Sequence, residues 1–232
     1  MIIYGKNVIK EAILSKRPIY KMYLDEKFSD TKFIAFLNNH KIEYVKVNKG
    51  ELNRLTDQGI HQGVVADVLA YKTYELTDIL RNDVHQRFLI LDEIQDPHNL
   101  GAIMRSAEAT KVDGIIMAKK HQVPLNGVVA KTSSGAIEHV PVIIVSNLYQ
   151  TIEKLKQANV WVVGTSGDAE TDFRDIPTDR SLAIVVGNEG DGMRELIKRG
   201  CDQLVRIPMF GKVNSLNVSV ATALMLYQTL KY

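Results

Sequence analysis

The fold class predicted by this sequence is α/β, with a mostly parallel sheet in its second half and a smaller α/β domain in front. Three observations predict it. Apolar runs recur at residues 88–91, 114–117, 142–145, 160–163 and 182–186, and they are apolar throughout, as strands covered on both faces are. Helical patterns separate them, and strand alternating with helix implies parallel pairing with helices over the sheet. At 232 residues and 45% hydrophobic, the chain can bury a core in a small domain joined to a medium one.

In order along the chain, Val8, Ile9, Ala12 and Ile13 share one helical face ahead of a strand-like stretch at 19–24. Phe33, Ile34 and Leu37 align on a second helix. An alternating run through Ile42, Tyr44 and Val47 follows, and residues 63–70 are rich in strand formers. These elements delimit a small domain over residues 1–70. Residues 71–86 are more polar and read as a linker, with a short helix through Leu76, Ile79 and Leu80. The second domain is expected over 87–232. Its helices carry Leu100, Ile103, Met104 and Ala107 at i, i+3, i+4, i+7, then Leu148, Ile152 and Leu155 on one face. A long closing helix over 215–232 presents Leu216, Val220, Ala223, Leu224 and Tyr227 at helical spacing.

Several classes are excluded. No apolar run approaches the roughly 20 residues a membrane helix needs, and Met1-Ile2-Ile3-Tyr4-Gly5 lacks the layout of a secretory signal, so a cytoplasmic protein is expected. The single cysteine, Cys201, has no partner for a disulfide or a metal knuckle and is expected to be a buried structural residue. The histidines and acids show no ligand spacing, so no metal is expected. A net charge of +2 does not by itself point to nucleic acid. The pairs and triplets Lys16-Arg17, Lys119-Lys120-His121 and Lys198-Arg199 read as solvated surface.

Three polar clusters stand at the ends of elements. The first, residues 92–101, follows an apolar strand and opens a helix that presents Arg105. Asp96 suits the helix cap and Pro97 its first turn. Capping does not account for Asn99 or Arg105, and a guanidinium offers a planar fork of donors to a ribose or phosphate. The second cluster, Gly187-Asn188-Glu189-Gly190-Asp191-Gly192-Met193, places a carboxylate inside a glycine turn at a strand end. Its order is G-x-x-G-x-G, not the dinucleotide fingerprint. The third, residues 207–217, runs into the closing helix, with Ser215 as a natural N-cap candidate and Asn217 on the first turn. No G-x-S-x-G elbow accompanies that serine, which excludes a hydrolase of that type.

Together the clusters resemble the three motifs of the SpoU/TrmH family of RNA ribose 2′-O-methyltransferases, in the SPOUT superfamily. The matching strings are Asn99-Leu100-Gly101 with Arg105, Gly187 to Gly192 around Glu189, and Ile207-Pro208-Met209 with Ser215-Leu216-Asn217. Ile3-Tyr4-Gly5 and His61-Gln62-Gly63-Val64-Val65-Ala66 resemble the substrate-binding domain of the bacterial 23S rRNA guanosine methyltransferase branch. The resemblance implies a C-terminal trefoil knot, an exception to the rule against threaded chains. It implies S-adenosylmethionine held by Gly164, Thr165, Gly187, Asn188, Ile207, Met209 and Leu216, largely through backbone and apolar contacts. It further implies a homodimer through the knot region and an RNA substrate, ribosomal favoured over transfer RNA, recognised by residues 1–70 mainly through shape and backbone.

In the chemistry that the resemblance implies, Arg105 activates the ribose hydroxyl while Asn99, Glu189, Ser215 and Asn217 hold the arginine, substrate and cofactor. A guanidinium is effectively always protonated, so stabilising the developing alkoxide while phosphate or water takes the proton is a second role open to Arg105. The rivals are a transfer-RNA methyltransferase, a non-catalytic RNA-binding or ribosome-assembly protein on the same fold, and, more distantly, a Rossmann oxidoreductase, whose fingerprint is missing.

Overall fold

Two sheets organise the chain in a computed structural model that describes residues 1–81 and 83–230. Asn82 of the expected linker, and Lys231 and Tyr232 at the end of the expected closing helix, lie outside the described residues. The first sheet is built from β1 (Ile2–Tyr4), α1 (Lys6–Leu14), β2 (Ile19–Asp25), α2 (Thr31–Asn39), β3 (Val45–Val47), α3 (Lys49–Leu55) and β4 (Val64–Val68). Its strand order is β1-β4-β2-β3. Strand β4 runs antiparallel to β1 and β2, and β3 lies parallel to β2. The helical face read from the sequence is the buried one: Val8, Ile9, Ala12 and Ile13 are all buried.

The alternating run at 42–47 becomes strand only over Val45–Val47. Its first part is used in ending α2. Lys41 takes a left-handed conformation with φ 57°, and the Ile42 N–H donates to the Leu37 carbonyl at 3.0 Å, satisfying a helix-end acceptor.

After α4 (Leu76–Ile79), the chain enters β5 (Arg87–Asp92), α5 (Pro97–Ala109) and β6 (Gly114–Ala118), and then forms α6 (Gly127–Thr132). It continues through β7 (Val142–Val145), α7 (Leu148–Gln157), β8 (Trp161–Thr165), β9 (Thr171–Asp172), β10 (Leu182–Gly187), α8 (Glu195–Gly200), β11 (Gln203–Arg206) and α9 (Val218–Gln228). The second sheet has the order β7-β6-β5-β10-β8-β11-β9, and every pairing in it is parallel. All six residues of β10 are buried, which is why the run reads as apolar without alternation. Phe88, Ile90, Ile116, Ile143, Ile152, Leu155, Val162 and Val185 pack into one core. No helix among the described residues is long and apolar enough to cross a membrane.

Two compact units result. One comprises Met1–Tyr71 with Pro124–His139, the other Lys72–Val123 with Val140–Tyr232. The stretch 124–139, which periodicity leaves inside the second domain, therefore packs with the first. Its anchor is a buried ion pair: Arg17 Nη1 lies 2.7 Å from Glu138 Oε1, with the side chains 7% and 4% exposed. Arg17 also donates from Nε to the Leu69 carbonyl at 2.7 Å and stacks 3.6 Å from the centre of the Tyr71 ring. Glu11 Oε2 and His139 Nε2, 2.9 Å apart, add a contact nearer the surface.

The closing helix differs from its sequence reading at both face and start. It begins at Val218, and its cap is Asn217, whose Oδ1 accepts from Ser219 N at 2.9 Å. Ser215 is exposed two residues earlier and caps nothing. The reason is local: residues 208–216 make no hydrogen bond among the described residues, so helical geometry starts only once Asn217 satisfies a first-turn donor. The helix buries Val218, Thr222, Met225 and Leu226, while Val220, Leu224 and Tyr227 are 49%, 40% and 50% exposed.

Candidate active site beyond the parallel strands

Strands β5 and β10 are neighbours and end together, with Asp92 opposite Gly187. The crevice beyond the carboxyl ends of such strands is where open parallel sheets bind ligands. Asp92 is fully buried there. Its carboxylate takes the Arg194 backbone N–H at 2.9 Å, Arg194 Nε at 2.9 Å and Arg194 Nη2 at 2.6 Å. Arg194 Nη1 reaches Glu93 Oε1 at 3.0 Å, and the hydrogen bond to Asp92 raises the guanidinium's already high pKa. Glu93 sits at φ 64°, a conformation that costs a non-glycine residue about 1–3 kcal/mol and that the arginine helps to hold.

This clasp closes the glycine turn. A Cβ on Gly187 would lie 2.0 Å from the Gly192 carbonyl carbon, so only glycine lets the turn fold back on the strand. Asn188 Oδ1 accepts from the N–H groups of Gly190 at 2.9 Å and Asp191 at 2.8 Å, and Asn188 N–H donates to Gly192 O at 3.1 Å. The turn is thus bonded within itself and presents Glu189.

Three of the five expected catalytic residues meet in a hydrogen-bonded chain. Asn217 Nδ2 donates to Asn99 Oδ1 at 3.0 Å, and Asn99 Nδ2 donates to Glu189 Oε1 at 2.7 Å. Ser219 donates into the chain from N and Oγ, at 2.9 and 2.6 Å from Asn217 Oδ1. Every donor points toward the Glu189 carboxylate, where a charge-assisted bond ends the series. Asn99 is placed by the start of α5, where Asp96 Oδ1 accepts from His98 N at 2.9 Å and Pro97 occupies the first turn. Arg105 and Ser215 stand outside this chain. Arg105 lies six residues beyond Asn99, roughly 9 Å of helical rise away, exposed and without a hydrogen bond or ion pair among the described residues. Carboxamides do not exchange protons at neutral pH, so Asn99 and Asn217 orient their partners, leaving Glu189 and Arg105 as the charged groups.

A cavity of ≈160 Å³ lies beside Thr165, Ile207, Met209 and Leu216, four of the seven expected cofactor residues, and also beside Ser215. Ser166, Arg206 and Asn214 line it too and were not singled out by sequence. Gly164, Gly187 and Asn188 do not. Gly164 is buried, and a Cβ there would meet Cys201 Sγ and Met193 Cε, both at 2.7 Å, so close packing requires glycine at that position. The residues present suit an adenosyl group. Ile207, Met209 and Leu216 offer aliphatic faces, and the unbonded backbone of 208–216 offers donors and acceptors for its edge. The volume is below the roughly 300 Å³ at which small-molecule pockets begin.

Sequence reasoning passed over Asp92 and Arg194. The available signal was a carboxylate ending a wholly apolar strand. Cys201 is only half-buried, yet burial pushes its thiol up to about 12, which makes it unreactive near neutrality. Among the described residues, no three His, Cys, Asp or Glu side chains are grouped so as to hold a metal.

Residues 86–227 match the model of the SpoU rRNA Methylase family, and residues 2–74 match that of RNA 2′-O ribose methyltransferase substrate binding. The class so defined is that of enzymes methylating RNA on the ribose 2′-oxygen. The chain belongs to the SpoU rRNA methylase family. It is 43% identical over 97% of its length to YacO of Bacillus subtilis, named as a TrmH family tRNA/rRNA methyltransferase, of which 93% is covered. A TrmH family tRNA/rRNA methyltransferase of Staphylococcus aureus is also 43% identical, over 99% of this chain and 95% of that one. Among solved structures, the SpoU methyltransferase AviRb of Streptomyces viridochromogenes in complex with AdoMet superposes with TM-score 0.84 at 23% identity, covering 99% of this chain and 88% of that one. An RNA 2′-O ribose methyltransferase gives TM-score 0.80 at 25% identity, covering 99% and 87%. The substrate-binding match stops at residue 74, whereas the first compact unit also takes in 124–139.

Proposed function

We propose that the chain transfers the methyl group of S-adenosylmethionine to the ribose 2′-hydroxyl of a guanosine in 23S ribosomal RNA, in the cytoplasm. The observation that carries this reading is the hydrogen-bonded chain Asn217–Asn99–Glu189, which ties the three motifs together beside the 208–216 segment. Residues 1–70, with 124–139 packed on them, recognise the RNA; residues 87–232 otherwise carry the chemistry, around a trefoil knot.

When bound, S-adenosylmethionine supplies a sulfonium methyl that an in-line oxygen can accept. Ile207, Met209 and Leu216 bury the adenine face, with Thr165, Gly164, Gly187 and Asn188 at the neighbouring strand ends. Arg105 holds the ribose and its phosphate and stabilises the alkoxide as the hydroxyl proton leaves to phosphate or water. Glu189, Asn99 and Asn217 keep the glycine turn, α5 and the third motif in register for that transfer, and Ser215, beside the cavity, helps to hold substrate and cofactor.

The test is transfer of labelled methyl to unmodified large-subunit rRNA and, separately, to transfer RNA, with mapping of the labelled nucleotide. Label as 2′-O-methylguanosine in 23S rRNA is expected. Label only in transfer RNA moves the substrate to that class, in keeping with the tRNA/rRNA names of the relatives. RNA binding without label on either identifies a non-catalytic RNA-binding protein.

The acting form is a homodimer through the knot region. Helix α9 is apolar on both sides, and a helix of that kind is normally buried all round. Val220, Leu224 and Tyr227, at i, i+4 and i+7, form a stripe, and Phe210 and Val213 are exposed at 96% and 68% on the neighbouring segment. A second copy of the chain is the occupant this stripe suits. Light scattering is expected to give the dimer mass for the native chain and the monomer mass for Val220→Asp with Leu224→Asp. A monomeric native chain at micromolar concentration would remove the dimer from the proposal.

A further inference from the structure

A cavity of ≈900 Å³ opens in the first unit between the segment at 25–30, the start of α3 with its cap Asn48, and the loop at 59–63, far larger than the one beside the third motif and within the range of small-molecule sites. At its wall, His61 is 6% exposed and its ring is fixed. Its Nδ1 accepts the Gly63 N–H at 3.0 Å, so the proton sits on Nε2, which donates to Asn53 Oδ1 at 3.0 Å. Burial lowers the His61 pKa, in keeping with this neutral form. The bond from His61 engages the oxygen of Asn53 and leaves its amide Nδ2, two donors, with no partner among the described residues.

Two large apolar side chains, Ile60 and Phe28, also line the cavity. Ile60 is 78% exposed, and Phe28 is held by edge contact with the buried Phe33, ring centres 5.8 Å apart. Lys27 and Lys49 stand at the rim with no ion pair among the described residues. Of the acids, Asp30 is engaged by Lys6 at 2.8 Å and caps α2, and Asp25 takes the Lys27 N–H at 2.8 Å, leaving Glu26.

We propose that this cavity receives one unstacked base of the RNA, set against Ile60 and Phe28, and that the Asn53 amide selects a base with a keto edge, uracil or guanine. A free asparagine reads adenine with donor and acceptor together. Here the oxygen already takes the His61 Nε2–H, and the two amide N–H groups are the wholly unengaged part of the side chain. They match the oxygen of uracil or guanine at the position where cytosine or adenine presents an amino group. Stacking and lysine–phosphate contacts supply the sequence-independent part of the affinity. This inference rests on the reading that the chain acts on RNA.

The experiment is a titration of the 232-residue chain with the tetranucleotides rU4 and rC4, followed by nuclear magnetic resonance at the Asn53 side-chain amide and the 59–63 backbone. We expect rU4 to shift these signals and to bind about fivefold tighter than rC4. Asn53→Asp keeps the acceptor for His61 but removes the donors, and is expected to reverse that preference while leaving the spectrum of the second unit unchanged. Asn53→Ala should bind the two equally. Equal binding of rU4 and rC4 by the native chain, or an unchanged preference in Asn53→Asp, overturns the proposal even if the chain methylates RNA. Conversely, rU4 selectivity in a chain that methylates no RNA would retain this site and discard the methyl-transfer reading.

Discussion

Arg105→Ala is expected to lower the rate of methyl transfer about 10²- to 10³-fold, the usual consequence of removing one group that stabilises charge developing in a transition state. The fold should not notice the change. The Arg105 side chain is exposed and makes no hydrogen bond or ion pair among the described residues, and substitutions at such positions stay within about 0.5 kcal/mol of native stability. S-adenosylmethionine affinity is expected to hold as well, because the cavity beside Thr165, Ile207, Met209 and Leu216 does not include Arg105. Arg105→Lys keeps the charge without the planar fork and should recover only part of the rate. Single-turnover transfer at saturating RNA and cofactor decides the matter: a rate for Arg105→Ala within twofold of native, roughly 0.4 kcal/mol, takes the residue out of the chemistry.

The largest expected loss of stability lies elsewhere, at Arg17 and Glu138. With both side chains nearly dry, Arg17→Met strands a carboxylate in the interior of the first unit and is expected to cost about 3–5 kcal/mol. Replacing both, Arg17→Met with Glu138→Met, removes the stranded charge and should bring stability back near native, since paired desolvation offsets most of the attraction. Urea unfolding of the two single variants and the double gives the coupling between the sites. Single variants within about 1 kcal/mol of native, well short of the cost of a stranded charge, would mean that other contacts hold 124–139 to the first sheet.

Much of the architecture was legible because the second sheet is buried on both faces. Each of its long strands is an unbroken apolar run, and the helical faces at Leu100–Ala107 and Leu148–Leu155 carry the buried positions that their spacing implies. Short elements were not legible. β1, α3 and α6 contain three, seven and six residues, too few for a period to declare itself. The face of α9 was obscured for a different reason: both of its sides are apolar, so periodicity cannot say which one the core takes.

By itself the sequence determined the order of the longer strands and helices in the second half, the cap at Asp96 and the three polar clusters whose residue types announce the family. These are local properties, set by which side chains follow one another over a few residues. Only the tertiary structure decided that Asn99 bonds Glu189 and Asn217, that Asp92 clasps Arg194 and that 124–139 belongs with the first sheet. Glu189 and Asn217 stand 90 and 118 positions from Asn99, and Arg194 stands 102 from Asp92. Partners so far apart are chosen by how the strands stack and where their ends coincide, and no local pattern along the chain records that choice.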